Sequence, residues 1–530
     1  MAALGLILAA ALGLRLTMIG FGLPSMYDPD EPFFILKAYE MLDAGTLNPH
    51  WFGHPGTITL YLVMLVEVSV VLSGLLLGQW ASINDFASAV YANPGLIFIP
   101  ARICMALIGV GCVWLTYILG KRLFGQVAGL LAAALLALNG LHIAWSQVVR
   151  TDIQASLFML GCLIFAARAA ENGKMRDFVL GGVMIGLAAA TKWPAASVAV
   201  AMIGASAALL HQRQPIGGTL MKLIISGGAS IATLIAVSPF LLLDWQKAVS
   251  DIFAEGKPAH LGHTGSGPLA NFLWYVDGQV MGTMGWIGLA AIVMGMAATL
   301  RAPTAARWTL LPAAIAFIVL LAAQNLIWSR WILPLLPMLA LFAAAGVIAI
   351  GRSQRWIVAA VGAALLVPSA AGAVGALRER ANDTRDQAQA WVIANVPPGS
   401  TVVVEHLQIG LRDQPSTFLF PMGEAGCLDG KKLLSRKVNY DEVQGARKGS
   451  KIVDLGNIAP DRIGTCRADY AILSYYDLYL AERSRYPREL ATYDALLGAG
   501  RTVALFRPRK GEVGGPVIRI VAIKPSGRVN

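Results

Sequence analysis

Charge is scarce in this sequence. Only 14% of its 530 residues are Asp, Glu, Lys or Arg, while 56% are hydrophobic. That balance lies outside the range of soluble globular domains. Cysteine is scarce as well: there are five, and no C-x-x-C spacing among them, which argues against a zinc site. The chain has no P-loop, no G-x-G-x-x-G after a strand, no H-E-x-x-H and no G-x-S-x-G. Direct nucleotide use, zincin chemistry and serine hydrolysis are thereby disfavoured. Internal repeats and long disordered stretches are also missing.

What is present is apolar sequence in long runs. A membrane span needs roughly 20 apolar residues, and runs of that length recur from the N-terminus to about residue 375. We read spans at about 1–23, 96–120, 126–144, 154–170, 177–191, 194–210, 222–243, 284–300, 308–325, 331–350 and 356–375. The first run has no basic n-region and no A-x-A-like site before the Pro24–Pro32 stretch. It reads as a retained span rather than a removed signal peptide.

The expected fold is a polytopic α-helical membrane protein of about 11 transmembrane helices plus juxtamembrane helices, with a soluble C-terminal α/β domain. The expected domains are 1–375 (first outer loop 24–95, flap-like outer loop 244–283) and 376–530. In the tail, "DQAQAWVIANV" (386–396) predicts a helix. Residues 401–405, 468–476, 502–506 and 517–523 predict strands.

The short connections fall into two sets. Lys121-Arg122, Lys174/Arg176, His211 to Arg213, Arg301/Arg307 and Arg352/Arg355 are plainly basic, and the positive-inside rule assigns them to the cytoplasm. Arg150/Asp152, Lys192-Trp193, 244–283 and Trp328-Ser-Arg330 then face outward with the tail: in a bacterium, a multi-pass inner-membrane protein with a periplasmic C-terminal domain. Residues 57–78 are long enough to span, but spanning would put 24–56 and Arg150/Asp152 on opposite faces. With Glu67 inside the run, we read it as a hydrophobic juxtamembrane helix.

Net charge is +11. Much of the excess lies in Lys431, Lys432, Arg436, Lys437, Arg447, Lys448 and Lys451. This is a solvated basic face or an attraction to anionic lipid or substrate. No aromatics interleave with these charges, so nucleic acid is not an expected partner. Cys427 and Cys466, both in the tail, would pair in an oxidising compartment.

The stretch "YDPDEPFF" (27–34) holds three acids between two apolar runs. Capping of a helix over 32–45 accounts for one of them. A second role is available to Asp28, Asp30 and Glu31. A carboxylate takes a proton from an attacking hydroxyl as general base, and Asp28-Pro-Asp30 offers oxygen ligands to a divalent metal such as Mg or Mn. Arg150 and Asp152 read either as an interfacial pair or as part of that site. Lys192 and Arg330 read either as snorkelling span-end cations or as phosphate ligands. Lys37, His54, His260 and His263 complete the candidate substrate-binding residues.

In order, the chain shows a first span and Asp30-Glu31 in the first outer loop. His54-Pro55 then opens a hydrophobic helix, followed by "KRLFG", an outer Arg-x-Asp and "GLAAATKW". Last comes "RWILPLLPMLAL", ahead of a soluble segment with "AWVIANVPPGSTVVVE". This succession, over residues 1–405, resembles the GT-C glycosyltransferases. That group includes the protein O-mannosyltransferases, the aminoarabinose transferases of lipid A and the bacterial Rgt-like enzymes.

The resemblance implies an inverting glycosyltransferase, hexosyl- or pentosyl-, with a polyprenyl-phosphate sugar donor. The acceptor would be a hydroxyl on a lipid, glycan or protein. Asp30 would be the base with Glu31 beside it. Lys192 and Arg330 would lie near the donor phosphate, and Arg150/Asp152 would form a second acidic site. No cofactor is implied as required, though Asp28 keeps a metal open. The family often carries His-Pro-Pro-Leu where this chain has His-Pro-Gly-Thr, and the tail after 405 has no placed counterpart. The competing readings are a secondary transporter, disfavoured by the missing repeat, and a non-catalytic scaffold or sugar sensor.

Overall fold

A computed structural model describes residues 2–53, 55–351, 354–405, 409–411, 414–434, 443, 445, 454–498 and 500–523. The chain forms two units by contact, Met1–Gly20 with Asp28–Leu377, and Phe21–Tyr27 with Arg378–Asn530.

The first unit is helical. Among the described residues, eight helices are long and apolar enough to cross a membrane, and the protein is a membrane protein. Helix α1 (Ala2–Leu16) is shorter than the predicted run. Between α1 and α5 lie α2 (Glu31–Asp43), α3 (Thr57–Leu76) and α4 (Ile83–Ala92); α3, expected to lie along the membrane surface, is one of the eight helices long and apolar enough to cross. Then come α5 (Gly95–Phe124) and α6 (Gln126–Ala137). The predicted 126–144 helix breaks after α6 because Asn139 caps a separate short helix, α7 (Gly140–Trp145), accepting the His142 N–H at 3.0 Å. Next are α8 (Thr151–Asn172), α9 (Met175–Thr191), a 3-10 turn (Trp193–Ala199) running into α10 (Val200–His211), and α11 (Ile216–Val237).

The region read as a flap, 244–283, is mostly helix. It holds α12 (Phe240–Leu243) in its approach, α13 (Trp245–Ala254), α14 (Pro268–Trp274) and a π-helical stretch (Tyr275–Met281) that runs into α15 (Gly282–Arg301). The irregular connector is thus only 255–267, and it is pinned by backbone pairing of Thr264 with Leu326. The rest of the unit is α16 (Ala305–Trp308), α17 (Leu310–Ala322), a 3-10 turn (Ser329–Ile332), α18 (Leu336–Ile350) and α19 (Arg355–Ala381), the last of which crosses the unit boundary.

Small residues set the helix spacing. A Cβ on Gly295 of α15 or on Gly346 of α18 would fall inside the backbone of the facing helix. Glycine at both positions lets the two approach closely, the usual means of association in lipid. Buried Ala, Leu and Val from α5, α6, α8, α10 and α18 form the continuous core.

The second unit holds a six-stranded mixed sheet, ordered β3-β2-β1-β4-β6-β5. Its strands are β1 (Thr401–Val404), β2 (Thr417–Pro421), β3 (Cys427–Asp429), β4 (Tyr470–Leu473), β5 (Arg501–Phe506) and β6 (Ile518–Ala522). β1 is parallel to β2 and β4, with Val403 opposite both Leu419 and Ala471. The other pairings are antiparallel. Helix α20 (Thr384–Asn395) is capped by Asp383 and buries Ala388 and Val392 against Val402, Val404, Ile472 and Ile520. A disulfide joins Cys427 to Cys466 with Cα atoms 4.9 Å apart. Lys431 and Lys432 start α21 (Gly430–Leu434), while Arg436, Lys437, Arg447, Lys448 and Lys451 lie outside the described residues.

Candidate active site

The three acids of the first loop have three different environments. Asp28 does the capping: its Oδ1 accepts the backbone N–H of Asp30 at 3.0 Å and of Glu31 at 3.1 Å. Both its oxygens also meet Arg150, at 2.9 Å from Nη2 and 3.3 Å from Nε. Asp30 occupies the N-cap position of α2 but makes no side-chain cap. Its carboxylate stays 53% exposed, 2.6 Å from Arg150 Nη1 and 3.9 Å from Arg330 Nη2.

Glu31 is fully buried, and Arg102 takes both its oxygens at 2.9 and 2.6 Å. Its Oε1 also accepts the Val149 N–H at 3.0 Å. The sequence places Glu31 beside Asp30 among the expected catalytic carboxylates. The geometry instead makes it a strut between the first loop, α5 and the approach to α8, without solvent access.

Arg150 precedes α8, and burial acts to lower its pKa. The charges of Asp28 and Asp30 more than offset that, so the guanidinium is held above its ordinary value. Asp152, on the first turn of α8, pairs with Lys192 at the end of α9. Burial lowers the Lys192 pKa, with Asp152 opposing and Arg330 reinforcing the shift. Arg330, in the 3-10 turn before α18, is lowered by burial first and by Arg150 second. Its guanidinium lies 4.2 Å from the Trp328 ring centroid and 5.8 Å from that of Trp145, which also faces Arg150 at 5.3 Å. Asp28, Asp30, Asp152, Arg150, Lys192 and Arg330 thus share one cluster.

The remaining candidates differ. His263 stacks on Trp328 with centroids 3.5 Å apart, and His260 meets the same indole at 5.2 Å. Both therefore join the cluster through the ring that carries Arg330. Lys37 pairs with Glu40 one turn along its own helix at 2.6 Å. His54 lies outside the described residues. Two residues later, Gly56 takes a positive φ of 63° and donates its N–H to Thr191 O at 3.3 Å. A Cβ there would press within 3.3 Å of Phe34 and Trp51.

Asp28 and Asp30 do not fit a divalent cation as they stand. One guanidinium bridges both carboxylates, and a cation between them would have to displace it. Among the described residues no three His, Cys, Asp or Glu side chains group as ligands. The sequence reading missed Arg102, Trp145 and Tyr275, whose hydroxyl donates to Trp328 O at 3.2 Å. Arg102 was findable, because a charge inside the apolar run 96–120 calls for a buried partner.

The family model described as dolichyl-phosphate-mannose-protein mannosyltransferase matches residues 95–243. No curated protein matches the sequence. Among solved structures, ArnT from Cupriavidus metallidurans bound to undecaprenyl phosphate is similar at 14% identity, with 98% of each chain covered and a TM-score of 0.54. The apo form of that protein gives 14% identity, 99% coverage of each chain and 0.55. AglB from Archaeoglobus fulgidus, in complex with an inhibitory peptide and a dolichol-phosphate, gives 12% identity, covering 92% of this chain and 71% of that one, with a TM-score of 0.49. The chain is a membrane protein with the fold of the GT-C glycosyltransferase superfamily.

Proposed function

We propose that this protein transfers a sugar from a polyprenyl-phosphate donor to a hydroxyl on a lipid, glycan or protein acceptor. The observation that carries the reading is the Asp30–Arg330 relationship. An exposed carboxylate stands beside a guanidinium that reaches it only at 3.9 Å, beyond hydrogen-bonding range. The fork of Arg330 is therefore available to phosphate oxygens. The ArnT structure of similar fold contains undecaprenyl phosphate, which supports a lipid phosphate as the ligand class.

In the proposed step, Asp30 accepts the proton of the acceptor hydroxyl. The oxygen attacks the anomeric carbon, the bond to the donor phosphate breaks, and the polyprenyl phosphate leaves with the electron pair. A single displacement inverts the anomeric centre. Arg330 and Lys192 meet the negative charge that grows on the leaving phosphate. Asp152 holds Lys192 in place, and Asp28 holds Arg150 beside Asp30. His260 and His263 fix Trp328 and so the Arg330 plane.

The plainly basic turns carrying Lys121, Arg122, Lys174, Arg176, Arg213, Arg301 and Arg307 favour the cytoplasm. The charged cluster lies at the other ends of α8 and α9, which supports an outer-face reaction with the donor arriving from that leaflet. The test is transfer from a polyprenyl-phosphate sugar by purified protein, paired with mass spectrometry of envelope lipids and glycans from a deletion strain. A missing hexose- or pentose-sized unit is expected. An unchanged envelope profile under expressing conditions would overturn the reading.

A further inference from the structure

At the end of α8 away from Arg150, the molecule has a cavity of about 330 Å³. Helix α8 has 22 residues, so at 1.5 Å per residue this site is roughly 30 Å from the Asp30 cluster. The cavity sits where α5, α8 and α10 end and the turn into α16 begins. Arg122, Glu171, Gln212, Thr304 and Trp308 line it.

Its chemistry is two-signed. The Arg122 guanidinium and the Glu171 carboxylate touch side by side, 34% and 40% exposed respectively. Gln212 is fixed by a hydrogen bond from its amide to Ala170 O at 3.0 Å. The Trp308 indole supplies an apolar wall, held from outside by His211 at 5.4 Å.

We propose that this cavity binds a phosphate–ammonium zwitterion, the chemistry of an ethanolamine-type lipid headgroup. The phosphate would lie on Arg122 and the ammonium on Glu171. A purely anionic group would have Glu171 against it, and a purely cationic one would have Arg122. A partly exposed ion pair contributes little net stability, so it opens around a ligand carrying both charges at small cost. Basic pockets between membrane helices on the cytoplasmic side are recurrent headgroup sites. The paired carboxylate here adds the requirement for an amine. Because the cavity is remote from the Asp30 cluster, the inference does not depend on the proposed transfer reaction.

The test uses full-length protein in detergent, examined by native mass spectrometry. The probes are short-chain phosphatidylethanolamine, short-chain phosphatidylglycerol and free phosphoethanolamine. Wild type is expected to retain phosphatidylethanolamine roughly tenfold better than phosphatidylglycerol, the worth of one charged hydrogen bond. Glu171→Gln removes that preference, and Arg122→Gln weakens both lipids. Thr304→Phe fills the mouth without changing charge and weakens both as well, which separates site loss from charge effects. Free phosphoethanolamine binding as tightly as the lipid assigns the site to a soluble zwitterion of the same chemistry, whereas displacement only at great excess assigns it to the lipid. Equal retention of the two lipids by wild type, or adducts unchanged in all three variants, overturns the proposal.

Discussion

Arg102, near the start of α5, places Nε 2.9 Å from Oε1 and Nη2 2.6 Å from Oε2 of Glu31, with both side chains fully buried. The third Arg102 nitrogen donates to Ile19 O at 2.8 Å, and Glu31 also accepts the Val149 N–H. One buried pair thus ties the end of the first helical segment, the acidic loop and the entrance to α8. Arg150 is the next residue along from Val149. The pair therefore sets the positions of the groups around Asp30 from a fully buried place in the fold.

Breaking that pair should be costly. Glu31→Gln strands a buried guanidinium, and removing one partner of a buried ion pair costs about 3–5 kcal/mol. A marked fall in thermal unfolding temperature in detergent is expected. The double replacement Glu31→Met with Arg102→Met should recover much of it. A single variant as stable as wild type would contradict the strut role.

Asp30→Asn should behave in the opposite way. Asp30 is half exposed, and Arg150 keeps Asp28 as its partner, so the fold should hold. Removing a general base costs about 100- to 10,000-fold in rate. The expected result is near-complete loss of sugar transfer from a lipid-linked donor at unchanged unfolding temperature. Transfer within a few-fold of wild type would remove Asp30 from the reaction.

Arg330 is expected to act through its fork as well as its charge. Arg330→Gln should lower turnover by roughly 100-fold or more, as removal of one preorganised charge-stabilising donor does. Arg330→Lys keeps the charge but loses bidentate geometry and stacking on Trp328, and should recover only part of the rate. Rate and apparent donor affinity, measured across donor concentration, separate these effects. Full activity in Arg330→Lys would show that charge alone suffices.

The second unit should lose stability as pH rises. Glu405, fully buried at the end of β1, is pushed up to about 7 by burial and then by Asp454, although the N–H groups of Leu455 and Tyr475 and the Tyr493 hydroxyl favour its anion. A carboxylate raised in the folded state keeps its proton where the unfolded chain has lost it. Stability is then fully present at low pH and falls between roughly pH 4.5 and 7, by up to about 3 kcal/mol. Hydrogen-exchange protection of Leu455 and Ser474, corrected for intrinsic rates, should fall over that window and flatten above it. Asp454→Asn should shrink the fall, and a rise in protection with pH would refute the assignment.

The strands predicted at 401–405, 468–476, 502–506 and 517–523 appear as β1, β4, β5 and β6, because each is a β-branched or aromatic run bounded by turn residues. β2 and β3 escaped notice. "TFLFP" ends in a proline, and β3 is only three residues long, too short to show alternation. Residues 268–283, from Pro268 through the π stretch to the start of α15, fall in the expected outer loop because glycine and polar residues interrupt their pattern. Its neighbours supply the packing that its own pattern does not announce.

By itself the sequence determined that the chain lives in a membrane and that its candidate site residues gather at span ends, because hydrophobic length and stranded charge are readable one residue at a time. It could not divide the labour among Asp28, Asp30 and Glu31. Which carboxylate is buried against Arg102, which caps α2 and which stays open beside Arg330 depends on where α5, α8 and the turn before α18 come together. Those elements are far apart along the chain, and only their packing brings each guanidinium to its acid.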